Sequence, residues 1–287
     1  MGLEPLVVGL GDRRYEVNRP WGPHEALYKG RSRPSDVATD SSDCLYVLNR
    51  FDRYVDPDGK PTVAIFEPTG QAAGALDLPD VADGHGISIG PTNEILVVDR
   101  DRHVVRIFAN DGAQKLTLGL RNEPDQPFSH PTAAAVGPGG DIFVTDGYGN
   151  SRVHRFSSTG DLIKSWGAPG DGPGQFTTPH DLAFTRQGEI VVCDRENNRI
   201  QFFDKEGTFL RQIGDLYHPM AVSVDAEGMI LVSDQIPRLS MYTPDGKLAG
   251  RCRPVLNGGH GMCIDSAGNI YFSEMQVNRA TRLRRIR

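Results

Sequence analysis

Apolar residues in this chain fall into short runs, each stopped by a cluster of Gly, Asp, Asn or Pro. The spacing repeats with a unit of roughly 40 to 50 residues. Its clearest copies are "HGISIGPTNEILVVDRDRHVVRIFANDGAQKLTL", "HPTAAAVGPGGDIFVTDGYGNSRVHRFSSTGDLIKSWG" and "PHDLAFTRQGEIVVCDRENNRIQFFDKEGTFLRQIG". Two more follow, "HPMAVSVDAEGMILVSDQIPRLSMYTPDGKLAGRC" and "HGMCIDSAGNIYFSEMQVNRATRLRRIR", and a degenerate copy beginning "RPSDVATDSSDCLYVLNRF" precedes them. Within each unit the pattern reads as four short strands joined by tight turns, the last often D-G or T-G. Helical periodicity of useful length is absent. Four strands per repeat at this period predict an all-β, six-bladed β-propeller.

Such a ring must close, because a free sheet edge invites aggregation. The sixth copy ends after about three strands, whereas "LVVGLGDRRYEVNRPWG" near the N-terminus resembles a blade's fourth strand; compare "RRYEVNRPWG" with "GDLIKSWG". The expectation is one propeller domain over residues 1–287, with blades starting near 34, 85, 130, 180, 218 and 260. A closing strand within about residues 5–22 is expected to pair into the last blade.

Composition narrows the class. Of the 287 residues, 38% are hydrophobic and 24% charged, and 33 Gly and 20 Pro fit many turns in a globular chain without low-complexity tracts. A net charge of −6 with no basic stripe argues against nucleic acid as a partner. The tail "RATRLRRIR" is the exception and reads as a strand with solvated arginines. No apolar stretch is long enough for a signal peptide or membrane span. Cys44, Cys193, Cys252 and Cys263 form no CxxC pair, so a reducing cytoplasm is expected. Oligomeric state is not legible.

Five histidines precede first strands: His85, His130, His180, His218 and His260. Counting to the acid that ends the second strand separates them. His85 to Asp99, His180 to Asp194 and His260 to Glu274 are each 14 residues, whereas His130 to Asp146 and His218 to Asp234 are 16. In the other blades the 14-residue position holds Ser35 (counted from Asn49), Thr132 and Met220. The first class occupies alternate blades, about 120° apart on a six-fold ring, so its members converge on the axis. Three inward imidazoles make a tridentate site with open positions, the way catalytic zinc is held. A wet channel lined by three polar residues is the simpler alternative. His130 and His218, each followed by Pro, read as loop residues.

The acids or amide ending the second strands (Asn49, Asp99, Asp146, Asp194, Asp234, Glu274) recur in every blade and are assigned to bonding turn amides. The residue after them varies: Arg50, Arg100, Gly147, Arg195, Gln235, Met275. Arg50 and Arg195 are candidates for gripping a substrate carboxylate, with surface ion pairing as the alternative. Tyr148, flanked by glycines in "TDGYGNSR", is placed to project a phenol into a cleft and act as a base.

From about residue 33 onward the pattern resembles NHL repeats and is similar to the peptidyl-α-hydroxyglycine α-amidating lyase catalytic core, itself a six-bladed propeller. "TDGYGNSRVHRFS" and "GPGQFTTPHDLAF…CDRENNRIQFF" are the most specific stretches. The resemblance implies zinc on His85, His180 and His260, a catalytic tyrosine at Tyr148, and active-site arginines at Arg50 and Arg195. It further implies cleavage of a carbinolamide C–N bond in a small, carboxylate-bearing substrate. Three departures stand out. Gly261 replaces an aspartate that binds a structural calcium in the family, leaving calcium only backbone carbonyls. Gly258 replaces an active-site methionine, and Gly149 a disulfide-bonded cysteine. A metal-dependent propeller hydrolase acting on an amide or lactone, and a non-catalytic NHL interaction module, are the alternative readings.

Overall fold

The computed structural model describes residues 5–22, 32–51, 62–78, 80–254 and 259–286. It is a six-bladed propeller of antiparallel sheets. Blades one to five span 32–77, 84–118, 133–166, 179–213 and 219–252, each a four-stranded meander in chain order. Gly258, one of the departures noted above, lies outside the described residues.

The second strands are the most apolar, and the fold shows why. Ile95–Asp99, Ile142–Asp146, Ile190–Asp194, Ile230–Asp234 and Ile270–Glu274 are buried at every position. Each is covered on both faces by neighbouring blades, so both sides of the pleat must be apolar. The buried clusters accordingly sit in the seams. Leu48, Val63, Ile87 and Val97 join blades one and two. Phe143 and Val153 meet Leu182 and Val192 between blades three and four. This arrangement keeps the apolar core off the axis and leaves the axis to polar side chains.

Ring closure follows the expectation and adds a strand. Gly261–Ile264, Ile270–Glu274 and Arg279–Arg285 form three strands of blade six, and Arg13–Asn18 supplies the fourth by pairing Tyr15 with Arg285 and Val17 with Leu283. Outside it, Val7–Leu10 adds a fifth. The turn between these two strands lies on blade five: a Cβ at Gly11, whose φ is +63°, would stand 2.8 Å from the Ala249 carbonyl oxygen.

The described arginines of the C-terminal tail carry partners, although Arg284 remains exposed. Arg279 bonds Glu274, Arg282 bonds Asn18, Arg284 bonds Glu16 and Arg285 bonds Glu227. Among the described residues no helix is long and apolar enough to cross a membrane.

Candidate metal centre

The register count selects three residues that meet on the axis. His85 and His180 lie on the first strands of blades two and four (Gly84–Ile89 and Pro179–Phe184), and His260 directly precedes Gly261–Ile264 in blade six. Their ring centroids are 5.0–5.1 Å apart with interplanar angles of 69–78°. One nitrogen from each lies within 4.8 Å of the others.

Which nitrogen faces inward is fixed by the blades between them. His85 Nδ1 bonds the Thr132 carbonyl at 2.7 Å, His180 Nδ1 that of Met220 at 2.8 Å, and His260 Nδ1 that of Ser35 at 2.7 Å. A carbonyl only accepts, so each Nδ1 carries the proton and each Nε2 keeps its lone pair. Ser35, Thr132 and Met220 are the register equivalents of the histidines in blades one, three and five. Sequence reasoning located those positions without finding their role. Close approach by the Thr132 carbonyl needs Gly86, where a Cβ would lie 2.7 Å from that oxygen.

Burial, with mutual repulsion and nearby arginines, holds His85 and His180 well below the usual imidazole range. Burial likewise brings His260 down to about 4. The three rings are therefore neutral at pH 7, the form a metal requires.

Tyr148 reaches into this cluster. Its hydroxyl is 3.0 Å from His85 Nε2 and 3.2 Å from His180 Nε2. The turn that carries it is held by bonds from the Tyr148 and Gly149 amides to the His130 and Ser129 carbonyls. Gly149 is required there, because a Cβ would fall 2.2 Å from Ser129 Oγ. Arg195 Nη1 lies 3.4 Å from the Tyr148 hydroxyl, and the guanidiniums of Arg195 and Arg100 lie 5.4 and 5.5 Å from its ring centroid.

Arg50 turns to Asp83, contacting it through Nε at 2.8 Å and Nη2 at 3.0 Å, and Arg100 Nη2 takes the same carboxylate at 2.7 Å. Sequence reasoning passed over Arg100. Its signal was register: Arg100 follows Asp99 as Arg195 follows Asp194, and each opens a short 3-10 turn.

Below the tripod the channel widens into a cavity of about 310 Å³ whose lining includes Asp36 and Asp181. Burial, and for Asp36 the neighbouring Asp181, raises both carboxyls, Asp181 to about 7. Where the family carries its calcium-binding aspartate, a Cβ on Gly261 would sit 1.8 Å from Asp36 Oδ1, so blade one's carboxylate fills that space. Asp36 accepts the Val37 and Ile87 amides and Asp181 the Leu182 and Val222 amides, each joining two blades. Among the described residues the histidine trio is the cluster of three or more metal-ligating side chains, and the acids do not complete a calcium cage. All four cysteines are free thiols.

The comparisons agree with this architecture. The NHL repeat model matches residues 128–156 and 176–203. Peptidylglycine alpha-amidating monooxygenase of Rattus norvegicus is 32% identical over 318 residues, covering 93% of this chain and 32% of its own length. Peptidyl-alpha-hydroxyglycine alpha-amidating lyase 1 of Drosophila melanogaster is 32% identical over 242 residues, covering 76% of this chain and 41% of its own. The chain thus spans about a third to two-fifths of these relatives. Among solved structures, virginiamycin B lyase from Staphylococcus aureus superposes with a TM-score of 0.67 at 16% identity, covering 93% of this chain and 85% of that one. A gluconolactonase from Xanthomonas campestris gives 0.68 at 16%, covering 98% and 94%. At such identities the structural likeness speaks for the fold alone. The chain is a six-bladed propeller with NHL repeats matched in blades three and four, similar over most of its length to one protein named an alpha-amidating monooxygenase and another named an alpha-amidating lyase.

Proposed function

We propose that the chain is a zinc-dependent lyase that cleaves the C–N bond of a small carbinolamide. The observation that carries this reading is the convergence of three neutral imidazoles, with the Tyr148 hydroxyl within 3.0 and 3.2 Å of two of their Nε2 atoms. A set of three neutral nitrogen donors held by carbonyl acceptors suits zinc with room for an exchangeable ligand, and His85, His180 and His260 would hold it. Bound there, zinc supplies Lewis-acid polarisation of a ligating oxygen.

The chain's own residues account for the proton and the charge. Tyr148 accepts the proton of the substrate hydroxyl, and Arg195, 3.4 Å from the phenol oxygen, provides a counter-charge for the phenolate. The oxygen's electron pair then closes a C=O bond as the C–N bond breaks. The leaving amide nitrogen takes up the proton, giving a primary amide and an aldehyde-type product. Arg50 and Arg100, sharing Asp83, stand where they can steer a substrate carboxylate. We place the protein in the cytoplasm on its free thiols.

Metal analysis of the purified protein tests the reading. Near-stoichiometric zinc is expected, lost when His85, His180 and His260 are changed together to Ala. Tyr148→Phe should keep the zinc and lose at least about 100-fold in turnover of a carbinolamide. A folded protein that takes up no metal sinks the proposal in favour of an interaction module, and full turnover by Tyr148→Phe removes the base from its role.

A further inference from the structure

The tripod is enclosed by a second set of hydrogen bonds that runs round the whole axis. Ser35 Oγ of blade one donates to the Gly84 carbonyl at 2.8 Å, Thr132 Oγ1 of blade three to that of Pro179 at 2.7 Å, and Ser233 Oγ of blade five to that of Gly259 at 3.0 Å. Gly84, Pro179 and Gly259 are the residues immediately before His85, His180 and His260. All three hydroxyl residues are buried, at 0, 1 and 1% exposure.

Together with the Nδ1 bonds, these contacts interlock. His85 leans on the carbonyl of Thr132, whose hydroxyl holds the peptide leading into His180. His180 leans on Met220 of blade five, where Ser233 holds the peptide leading into His260. His260 leans on Ser35, whose hydroxyl holds the peptide leading into His85. Blade five shows that the hydroxyl is placed by need. Its register position holds Met220, which cannot donate, and the donor moves to Ser233, paired with Ala221 on the adjacent strand.

We infer that Ser35, Thr132 and Ser233 are positioning residues that set the convergence of the three Nε2 atoms before a cation arrives; this rests on the metal reading above. A fixed carbonyl fixes the plane of the peptide from which each histidine Cα departs. A ligand set ordered in advance loses less freedom on binding. Partners that orient metal-ligating histidines commonly matter 10- to 100-fold in affinity. Thr132 is the sharpest case. Its one proton has Pro179 at 2.7 Å, the shortest of three contacts, the others being the Thr145 hydroxyl at 2.8 Å and carbonyl at 3.1 Å.

The experiment compares Thr132→Val, which keeps the shape and removes the hydroxyl, with Thr132→Ser and with Ser88→Ala. Ser88 makes the same kind of bond in the neighbouring seam, between blades two and three, to the Ala134 carbonyl at 2.7 Å. Zinc affinity is read by chelator competition, Co²⁺ coordination by its visible spectrum, and stability by thermal melting. Thr132→Val should bind zinc about 10- to 100-fold more weakly with an altered Co²⁺ spectrum. Thr132→Ser should stay close to the parent, and Ser88→Ala should lose stability with zinc affinity unchanged. Parent-like zinc binding by Thr132→Val overturns the inference. So does an equal loss in Ser88→Ala, which would mean that any loosening between blades suffices. If Thr132→Val fails to fold, Ser35→Ala and Ser233→Ala are judged by the same criteria. A folded parent that binds no zinc brings down the metal reading and this inference together. Zinc binding abolished by His85→Ala but untouched by Thr132→Val brings down the inference alone.

Discussion

His85, His180 and His260 spend their Nδ1 protons on carbonyls and lie where water cannot solvate a second proton, so folding holds them neutral. The direction of the pH effect follows. For these three residues the folded values lie below the ordinary 6.5, that of His260 at about 4, so between these limits they bind more protons in the unfolded chain than in the native one, while Asp36 and Asp181, raised by burial, do the opposite. Chelator-stripped protein should therefore lose the histidines' share of its stability as pH falls from about 6.5 towards about 4, and changing the three together to Ala should remove that share. Urea midpoints of the two proteins across that range would show it, and a parent-to-variant difference indifferent to pH would refute it. The same residue scale explains the division of the other histidines. His130 and His218 occupy left-handed backbone at φ +61° and +47°, a geometry that Thr178 shares at the corresponding place in blade four. Their amides are capped by His103 Nδ1 and by Asn198 Oδ1, so His103 acts here as an asparagine would. Register counting could see that two classes exist. It could not see the caps, which depend on backbone handedness, nor the stacking of Arg100 on Tyr148, which depends on rotamers.

Individual strands show the same boundary between what the chain spells out and what assembly decides. Arg13–Asn18 was legible as a fourth strand because the segment it opens ends on a tryptophan and a glycine, Trp21 and Gly22, as blade three's last strand does at Trp166 and Gly167. Val7–Leu10 was not, since a short edge strand is defined by its partner. Arg13 links the closing strand to blade five through Asp225 at 2.6 Å and Glu227 at 2.9 Å, with its own side chain and that of Asp225 only 6% and 5% exposed. Arg13→Ala would leave a buried carboxylate without its cation and should cost about 3 kcal/mol in urea denaturation. A loss below about 1 kcal/mol would show that the pair merely covers the turn. The Gly/Pro-rich segment 167–179 is held down by blade four's own side chains. The Arg199 guanidinium bonds the carbonyls of Asp171, Gly172 and Gln175, and Phe176 is fully buried.

At the scale of the molecule, blade number, blade order and the histidine trio were legible because each depends on a period in the chain. The carbonyl and hydroxyl collar was hidden because its bonds run between blades, from one repeat to the next. That collar makes the centre a property of the closed ring: the histidines come from blades two, four and six, and their acceptors from blades one, three and five. Blade six is itself complete only when Arg13–Asn18 has docked beside Arg279–Arg285. Thermodynamic linkage then runs both ways. If closure creates the cation site, an ion bound there must favour closure, by about 2.7 kcal/mol at a free concentration a hundredfold above its Kd. Zinc should accordingly slow amide hydrogen exchange in the Arg13–Asn18 strand, which lies three strands along the sheet from Gly261–Ile264; exchange there that ignores zinc would uncouple the two. The seam where the chain's two ends meet would then be the part of the molecule that reports whether the ion is present.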